Sequence, residues 1–425
     1  IKIPPRPQGL PFIGNVHQFD FSKPQVLLWE LSKIYGPFIS LHLGVVPIIV
    51  VSSAEMAKES LKTHDIQFCS RLAKIRKLCV SHLFNPSRAQ SFRPIREDEV
   101  SRMIEYISKS AASKQVNLSG IMMSLASNII CRIGFGKRHG NEYEAISGRS
   151  RFLTFFTEIQ ASPVGFFVTD YFPFMGWIDK LRGMMRRLEI YFQKADTFYQ
   201  ELNDEHKDPN ITKAELQQED IVDVLLQVQK DHGFKVDLTL DHIYKHTHIC
   251  AICFANGSTV VWAMTYLMKH PRAMKKVQEE IRSLIGCKGF VDEVDLQEVK
   301  YLKAVLKGTL RLQSPIPLLV PKEIMEKCLI DGYEIRAKTL VYVKAWAIRR
   351  DPEAWENPEE FNPERFIDCS IDYKEQNLEF IPFRAGRRIS KIWTLIVCPE
   401  LPCTRRIFFF FRLSIMSRYM LRHIH

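Results

Sequence analysis

The 425 residues contain no run approaching the ~18 consecutive apolar residues of a spanning helix, which excludes a polytopic membrane protein. Cysteine is sparse. Ten in a chain of this length are too dilute for a disulfide-stapled mini-domain. No signal peptide is expected, because Ile1 opens directly onto a proline-rich stretch. Internal repeats and low-complexity linkers are missing. No glycine-rich loop precedes Lys307, Arg311 or Lys322, which removes a phosphate-cradle reading of those cations. Acid is missing from the end. After Glu400 there is no Asp or Glu, while Arg405, Arg406, Arg412, Arg418 and Arg422 follow. The net charge is 59 − 48 = +11. With that tail set aside the remainder is only mildly basic, so no nucleic-acid partner is expected.

What is present is ordinary for a folded chain: 46% hydrophobic and 25% charged residues. Pro4, Pro5, Pro7 and Pro11 make the first residues a stiff, extended leader. A helix is predicted from Lys23 to Tyr35, stopped by Gly36-Pro37. Ile39, Leu41 and Leu43 alternate with Ser40 and His42. Gly44 to Pro47 then turns the chain into Ile48–Val51, a hairpin signature. From about Ala54 to Lys307 the pattern is helical. Leu188, Phe192, Ala195, Phe198 and Leu202 recur at spacings of four and three. Met274, Val277, Ile281 and Leu284 do the same between Pro271 and Gly286. Strand signals return in Ile330-Asp-Gly-Tyr-Glu-Ile335 and Leu340–Val343.

Several segments, in order, carry a family resemblance. They are Pro4-Pro5-Arg6-Pro7, Tyr35-Gly36-Pro37, Arg76-Lys77, Thr309-Leu310-Arg311-Leu312, Phe361-Asn362-Pro363-Glu364-Arg365-Phe366, and Phe380 through Ser390. Over residues 9 to about 388 the chain resembles a cytochrome P-450 of the plant microsomal type, a haem-thiolate monooxygenase. The resemblance implies a mainly α fold with a small β portion, the triangular helical prism of that family. It also implies a haem cofactor, with Arg76, Arg311, Phe383, Gly386 and Arg388 as the cofactor-side residues. An NADPH-dependent reductase would be the electron-supplying partner. The expected reaction inserts one oxygen atom from O2 into a small lipophilic substrate, at the cytosolic face of the endoplasmic reticulum membrane. Relatives carry an anchor helix before the proline leader, so only peripheral membrane contact is expected of these residues.

The sequence departs from the family pattern where the chemistry sits. Ser390 occupies the position of the axial cysteine, and a serine hydroxyl is a weak, hard ligand. Cys398 and Cys403 lie several residues past the loop. Arg384 stands where the family has the glycine of the bend beneath the ring. Gly308 replaces the Glu of the E-x-x-R pair. Arg311 is therefore expected to be left partly buried without its anion, at a cost of about 3–5 kcal/mol. The oxygen-side segment reads Phe254 to Trp262 and holds no carboxylate; Thr259, or Ser258, is the candidate alcohol. Leu72 stands where the propionate-clamp Trp is expected. Past Ile389 the resemblance ends in a basic, aromatic tail with the character of another reading frame or retained intron.

The other motifs read as structural. Cys250 and Cys253 lie in an apolar helical run with no second pair nearby. His246 and His248, two apart, fall on different helix faces, which disfavours a metal cluster with His242. Trp346 and Trp355 read as packing residues. The expected organisation is a leader at 1–16, a P-450-like domain with internal deletions at 17–389, and a non-matching tail at 390–425. The expected function is that of a degenerate copy that does not run the family reaction. A non-catalytic helical ligand-binding protein and a misfolding, pseudogene-like product are the alternatives.

Overall fold

A computed structural model describes residues 2–20, 24–63, 90–111, 116–138, 167–207, 220–230, 250–286, 295, 298–314, 317–319, 321–371 and 377–382. In chain order it holds α1 (Pro24–Tyr35), β1 (Phe38–Leu43), β2 (Val46–Val51), α2 (Ala54–Lys58), α3 (Arg93–Ala111), α4 (Leu118–Phe135) and α5 (Val168–Tyr171). Then follow α6 (Gly176–Leu181), α7 (Met184–Lys207), α8 (Ile221–Lys230), α9 (Cys250–Lys269), α10 (Pro271–Ile285) and α11 (Lys300–Leu312). The last elements are β3 (Lys322–Glu323), β4 (Cys328–Ile330), β5 (Tyr333–Ile335), β6 (Leu340–Val343) and α12 (Ala345–Ile348). Helices dominate and the strands form two small sheets, the mainly α fold with a small β portion that the sequence predicts. The chain divides into two compact units. One joins Ile1–Cys69 to Ser258–Ile389; the described part of the other lies within Ser70–Gly257.

In the first unit the larger sheet has the order β1-β2-β6-β3, and β4 pairs with β5 in a hairpin. That hairpin turns on Asp331 and Gly332, with φ of 47° and 73°. Positive φ at both central residues is what a two-residue hairpin turn requires. The first hairpin corrects the sequence reading at Pro47. Only Gly44 and Val45 form the turn, and Pro47 lies inside β2 opposite His42. Proline is tolerated there because a two-residue loop makes the 42–47 pair a non-hydrogen-bonded one. The amide and carbonyl of His42 point away from β2 and bond to Asn15, at 3.0 Å and 2.6 Å. The partner on the other side, β6, starts only opposite Ile48. The alternation in β1 also fails to expose its polar face, since Ser40 is buried with Ile39 and Leu41. The leader is pinned along this edge, where the Ser40 amide donates to the Pro5 carbonyl at 2.9 Å, but it is not extended throughout as predicted: Leu10 and Gly14 exchange backbone hydrogen bonds at 2.9 Å and close a turn over Pro11–Ile13.

α10 starts with Pro271 at its first turn and stops at Gly286, φ 48°, as the sequence predicts. Val277 is buried and Met274 and Ile281 pack against the same core. α11 follows with Val299 as an N-cap that offers no side-chain hydrogen bond. Glu280 of α10 supplies it instead, accepting from the amides of Tyr301 (2.7 Å) and Leu302 (2.9 Å). A carboxylate on orphan first-turn N–H groups also meets the positive end of the helix dipole. Glu280→Ala is expected to lower stability by about 1–2 kcal/mol, the usual cost of losing a cap. Urea unfolding checks this, and an unchanged midpoint would remove Glu280 from that role.

In the second unit α4 is capped at both ends. Asn117 accepts from the Gly120 amide at 3.1 Å, and Gly136 ends the helix with φ 69°. A Cβ on Gly136 would lie 2.6 Å from an Asp220 oxygen, so both backbone and space require glycine. By length and composition α4 is apolar enough to cross a membrane. It nevertheless buries Ser127, Asn128 and Cys131, and its Arg132 pairs with Asp98 and Glu99 of α3. On α7, Phe198 and Leu202 are buried, and Phe198 meets Phe135 edge-on. The side chains of Leu188, Phe192 and Ala195 lie outside the described residues. His206 of α7 reaches Asp220 at 2.9 Å. Burial opposes the imidazolium most, but the hydrogen bond and charge of Asp220, the Leu202 carbonyl and the Asp223 charge together outweigh it and the His206 pKa is raised.

Candidate functional site

α11 carries the best-described part of the site. Its inner face buries Ala304, Val305, Gly308, Thr309, Arg311 and Leu312. Thr309 turns its hydroxyl back to the Val305 carbonyl at 2.9 Å, so it is spent within the helix. Arg311, 1% exposed, reaches across to the segment after α12. Its Nη1 donates to the carbonyls of Arg349 (3.1 Å) and Pro358 (2.5 Å), and its Nη2 to that of Glu360 (2.7 Å). Its guanidinium also sits 5.1 Å from the ring centre of Trp355.

Arg311 is thus buried with no carboxylate bonded to it among the described residues, as expected. Three backbone carbonyls take its Nη donors, while its Nε has no hydrogen-bond partner and the charge is not met. Burial, then repulsion from Arg365 and Arg350, lowers the Arg311 pKa to about 10. Gly308 leaves its place to an aromatic ring. A Cβ there would meet Cε2 of Phe361 at 3.2 Å. Phe361 in turn stacks on Tyr266 with ring centres 4.5 Å apart and planes 10° apart.

The Pro363–Phe366 turn is tied to α11. Asn362 caps it by accepting from the Glu364 amide at 3.1 Å. Glu364 accepts from the Tyr301 hydroxyl (2.8 Å) and the Lys276 ammonium (2.6 Å). Phe366 packs between Trp355 and Phe380, ring centres 5.7 Å and 5.6 Å away. Trp355 is therefore a packing residue, and Trp346 meets Trp29 edge-on at 5.4 Å, as the sequence predicts. Ser314 closes the arrangement by donating to the Pro382 carbonyl.

Of the other candidates, Thr259 and Ser258 lie half-buried on α9. Leu72, Arg76, Phe383, Arg384, Gly386, Arg388, Ser390, Cys398 and Cys403 lie outside the described residues, as do His242, His246 and His248. The side chains of Cys250 and Cys253 are likewise not described. The structure thus gathers Arg311 with the 349–366 segment and leaves the rest of the candidate set unplaced. Sequence reasoning missed Lys344, Arg349 and Arg350, three buried cations around α12. The signal was faint: cations bracketing the apolar Ala345–Ile348, next to the strand predicted at Leu340–Val343.

A model of the family Cytochrome P450 matches residues 4–74 and 69–389. The chain belongs to the cytochrome P450 family. A 6,7,8-trihydroxycoumarin synthase from Pastinaca sativa is 46% identical over 425 aligned positions, covering 92% of this chain and 82% of that protein. A 5-OH-xanthotoxin synthase from Ammi majus is 44% identical, with 91% and 81% covered. A strychnine-11-hydroxylase from Strychnos nux-vomica is 39% identical, with 91% and 80% covered.

Cytochrome P450s carry haem, and the donor set here does not fit a thiolate-held ring. Serine stands at 390 and leucine at 72. Among the described residues the free cysteines are Cys131, Cys328 and Cys369. Cys328 is buried in β4, where burial pushes its thiol up and keeps it protonated. Cys131 is buried on α4, and Cys369 follows the Pro363–Phe366 turn. None lies in the segment from Phe380 to Ser390 that the sequence resemblance points to.

Proposed function

We propose that this chain keeps the framework of a cytochrome P450 monooxygenase but does not run the oxygen-insertion reaction. The observation that carries this reading is Ser390 at the axial position, because thiolate donation to iron is what favours O–O cleavage. Gly308, at the place the resemblance gives to a Glu and with the Phe361 ring packed where a side chain would begin, supports it. Losing one catalytic element typically costs orders of magnitude in rate. The organisation that goes with this reading is a leader at 1–16, a P450 domain at 17–389 and a tail at 390–425.

The ancestral reaction is insertion of one oxygen atom from O2 into a small lipophilic molecule, with electrons from an NADPH-dependent reductase at the endoplasmic reticulum surface. The names of the relatives point to coumarin-type and alkaloid substrates. An active monooxygenase is the second reading, favoured by the family match over nearly the whole chain.

The deciding experiment is an absorption spectrum of the purified chain after haem addition, reduced, with and without carbon monoxide. Absence of a thiolate-type red-shifted Soret band is expected. Such a band in the unaltered chain would show that a cysteine reaches iron and would sink the proposal. Ser390→Cys measured alongside separates causes. A thiolate band in that variant alone assigns the loss to position 390. Its absence there too assigns the loss to several departures together.

A further inference from the structure

Arg311, Arg349 and Arg350 form a buried cluster with too little negative charge. Arg311 is 1% and Arg349 0% exposed, and the Arg350 side chain is 7% exposed. Most of their donors meet neutral oxygens. Arg349 Nε donates to the Ala345 carbonyl (3.0 Å), and its Nη1 to those of Leu310 (3.1 Å) and Ile381 (3.3 Å). Arg350 Nη2 donates to the Leu312 carbonyl at 2.6 Å. Among the described residues the one carboxylate bonded to any of the three is Glu359, which takes Arg350 Nε at 3.1 Å with its own side chain 71% exposed. One nitrogen of each guanidinium is left over. Arg311 Nε, Arg349 Nη2 and Arg350 Nη1 are buried and have no hydrogen-bond partner.

Guanidinium does not give up its proton in proteins, so these charges persist. Carbonyl dipoles satisfy directions but leave net charge, and an uncompensated buried ion costs several kcal/mol. The three groups also repel one another: Arg311 and Arg350 both depress Arg349. Aromatic faces cover two of them. Trp355 lies over Arg311 at 5.1 Å and Trp346 over Arg350 at 4.3 Å. We propose that this cluster binds one small monovalent anion, chloride in ordinary salt, held by Arg311 Nε, Arg349 Nη2 and Arg350 Nη1. The site would act as a structural counter-ion between α11 and α12, independent of haem and of the oxygen chemistry.

The test is thermal unfolding of the full chain, followed by circular dichroism at constant ionic strength, with chloride exchanged for gluconate. An anion that binds only the folded state raises its stability with concentration. A rise in Tm of about 2 °C or more from gluconate to chloride is expected for a unit of this size. Formate should act like chloride, since its carboxylate is small enough for the same donors. Arg349→Met should lose the chloride increment and melt higher than the unaltered chain in gluconate. Arg102→Gln, on the exposed face of α3, should keep the increment. Equal Tm in chloride and gluconate overturns the proposal. So does an Arg349→Met increment equal to that of the unaltered chain, or the absence of a cooperative transition in every anion. Should Arg349→Met not fold, the anion series on the unaltered chain decides alone.

Discussion

Lys344→Met is expected to stabilise the protein by about 5 kcal/mol at pH 7 and to flatten its pH dependence. Lys344 is 0% exposed and its ammonium has no hydrogen-bond partner. Burial, followed by repulsion from Lys33, lowers its pKa from 10.5 to about 6, with Glu30 opposing weakly. The indoles of Trp29 and Trp346, 5.7 Å and 5.6 Å away, offer the cation its remaining support. Between about pH 6 and 10.5 the unfolded chain binds a proton at this site that the folded chain does not. Stability therefore climbs with pH across that window and levels off below it. At pH 7 the penalty is 1.36 × (10.5 − 7), or about 5 kcal/mol. Methionine fills similar space without a charge. Urea unfolding at pH 6, 7, 8 and 9 measures both effects. The same slope in Lys344→Met and in the unaltered chain would show that another group sets it.

Glu99→Ala is expected to cost about 3–5 kcal/mol, the largest loss from a single change in the second unit. Glu99 is 0% exposed and stands 2.9 Å from Arg132 Nη1 and 3.2 Å from Arg138 Nε. Its removal takes the buried carboxylate from two partly buried cations, of which Arg132 keeps the more exposed Asp98. Asp98→Ala, at 37% side-chain exposure, should cost much less, because solvent screens exposed pairs. Helical circular dichroism during thermal unfolding distinguishes them. Similar losses from both variants would remove Glu99 from the centre of the network.

Local rules were readable in the sequence and long-range compensation was not. Pro271 and Gly286 mark the ends of α10 because the first helical turn wastes an N–H and the last needs an unusual φ. Asp331-Gly332 marks its hairpin for the same kind of reason. Pro47 misled because proline usually marks a turn, and its harmlessness inside β2 depends on β6, far along the chain, starting only opposite Ile48. Arg311 was found by its motif, but its three carbonyl acceptors come from residues 38 to 49 positions away. Lys344 and Arg349 were invisible because charged residues are expected at the surface, and nothing local marks an exception. Glu280 as the cap of α11 was hidden for a related reason: it lies 21 positions before Tyr301, outside any capping-box spacing.

The way the leader lies along β1 bears on how this protein should be handled. β1 is the outer strand of its sheet, and its outward amides at Ser40 and His42 are both taken, by Pro5 and Asn15. Proline gives the covering segment no amide with which to recruit a further strand, so the ladder ends there. Trimming these residues to tidy an expression clone would bare a sticky flank made of the outward Ser40 and His42 backbone groups. Self-association through that flank, rather than loss of any pocket, would be the first symptom seen on a sizing column.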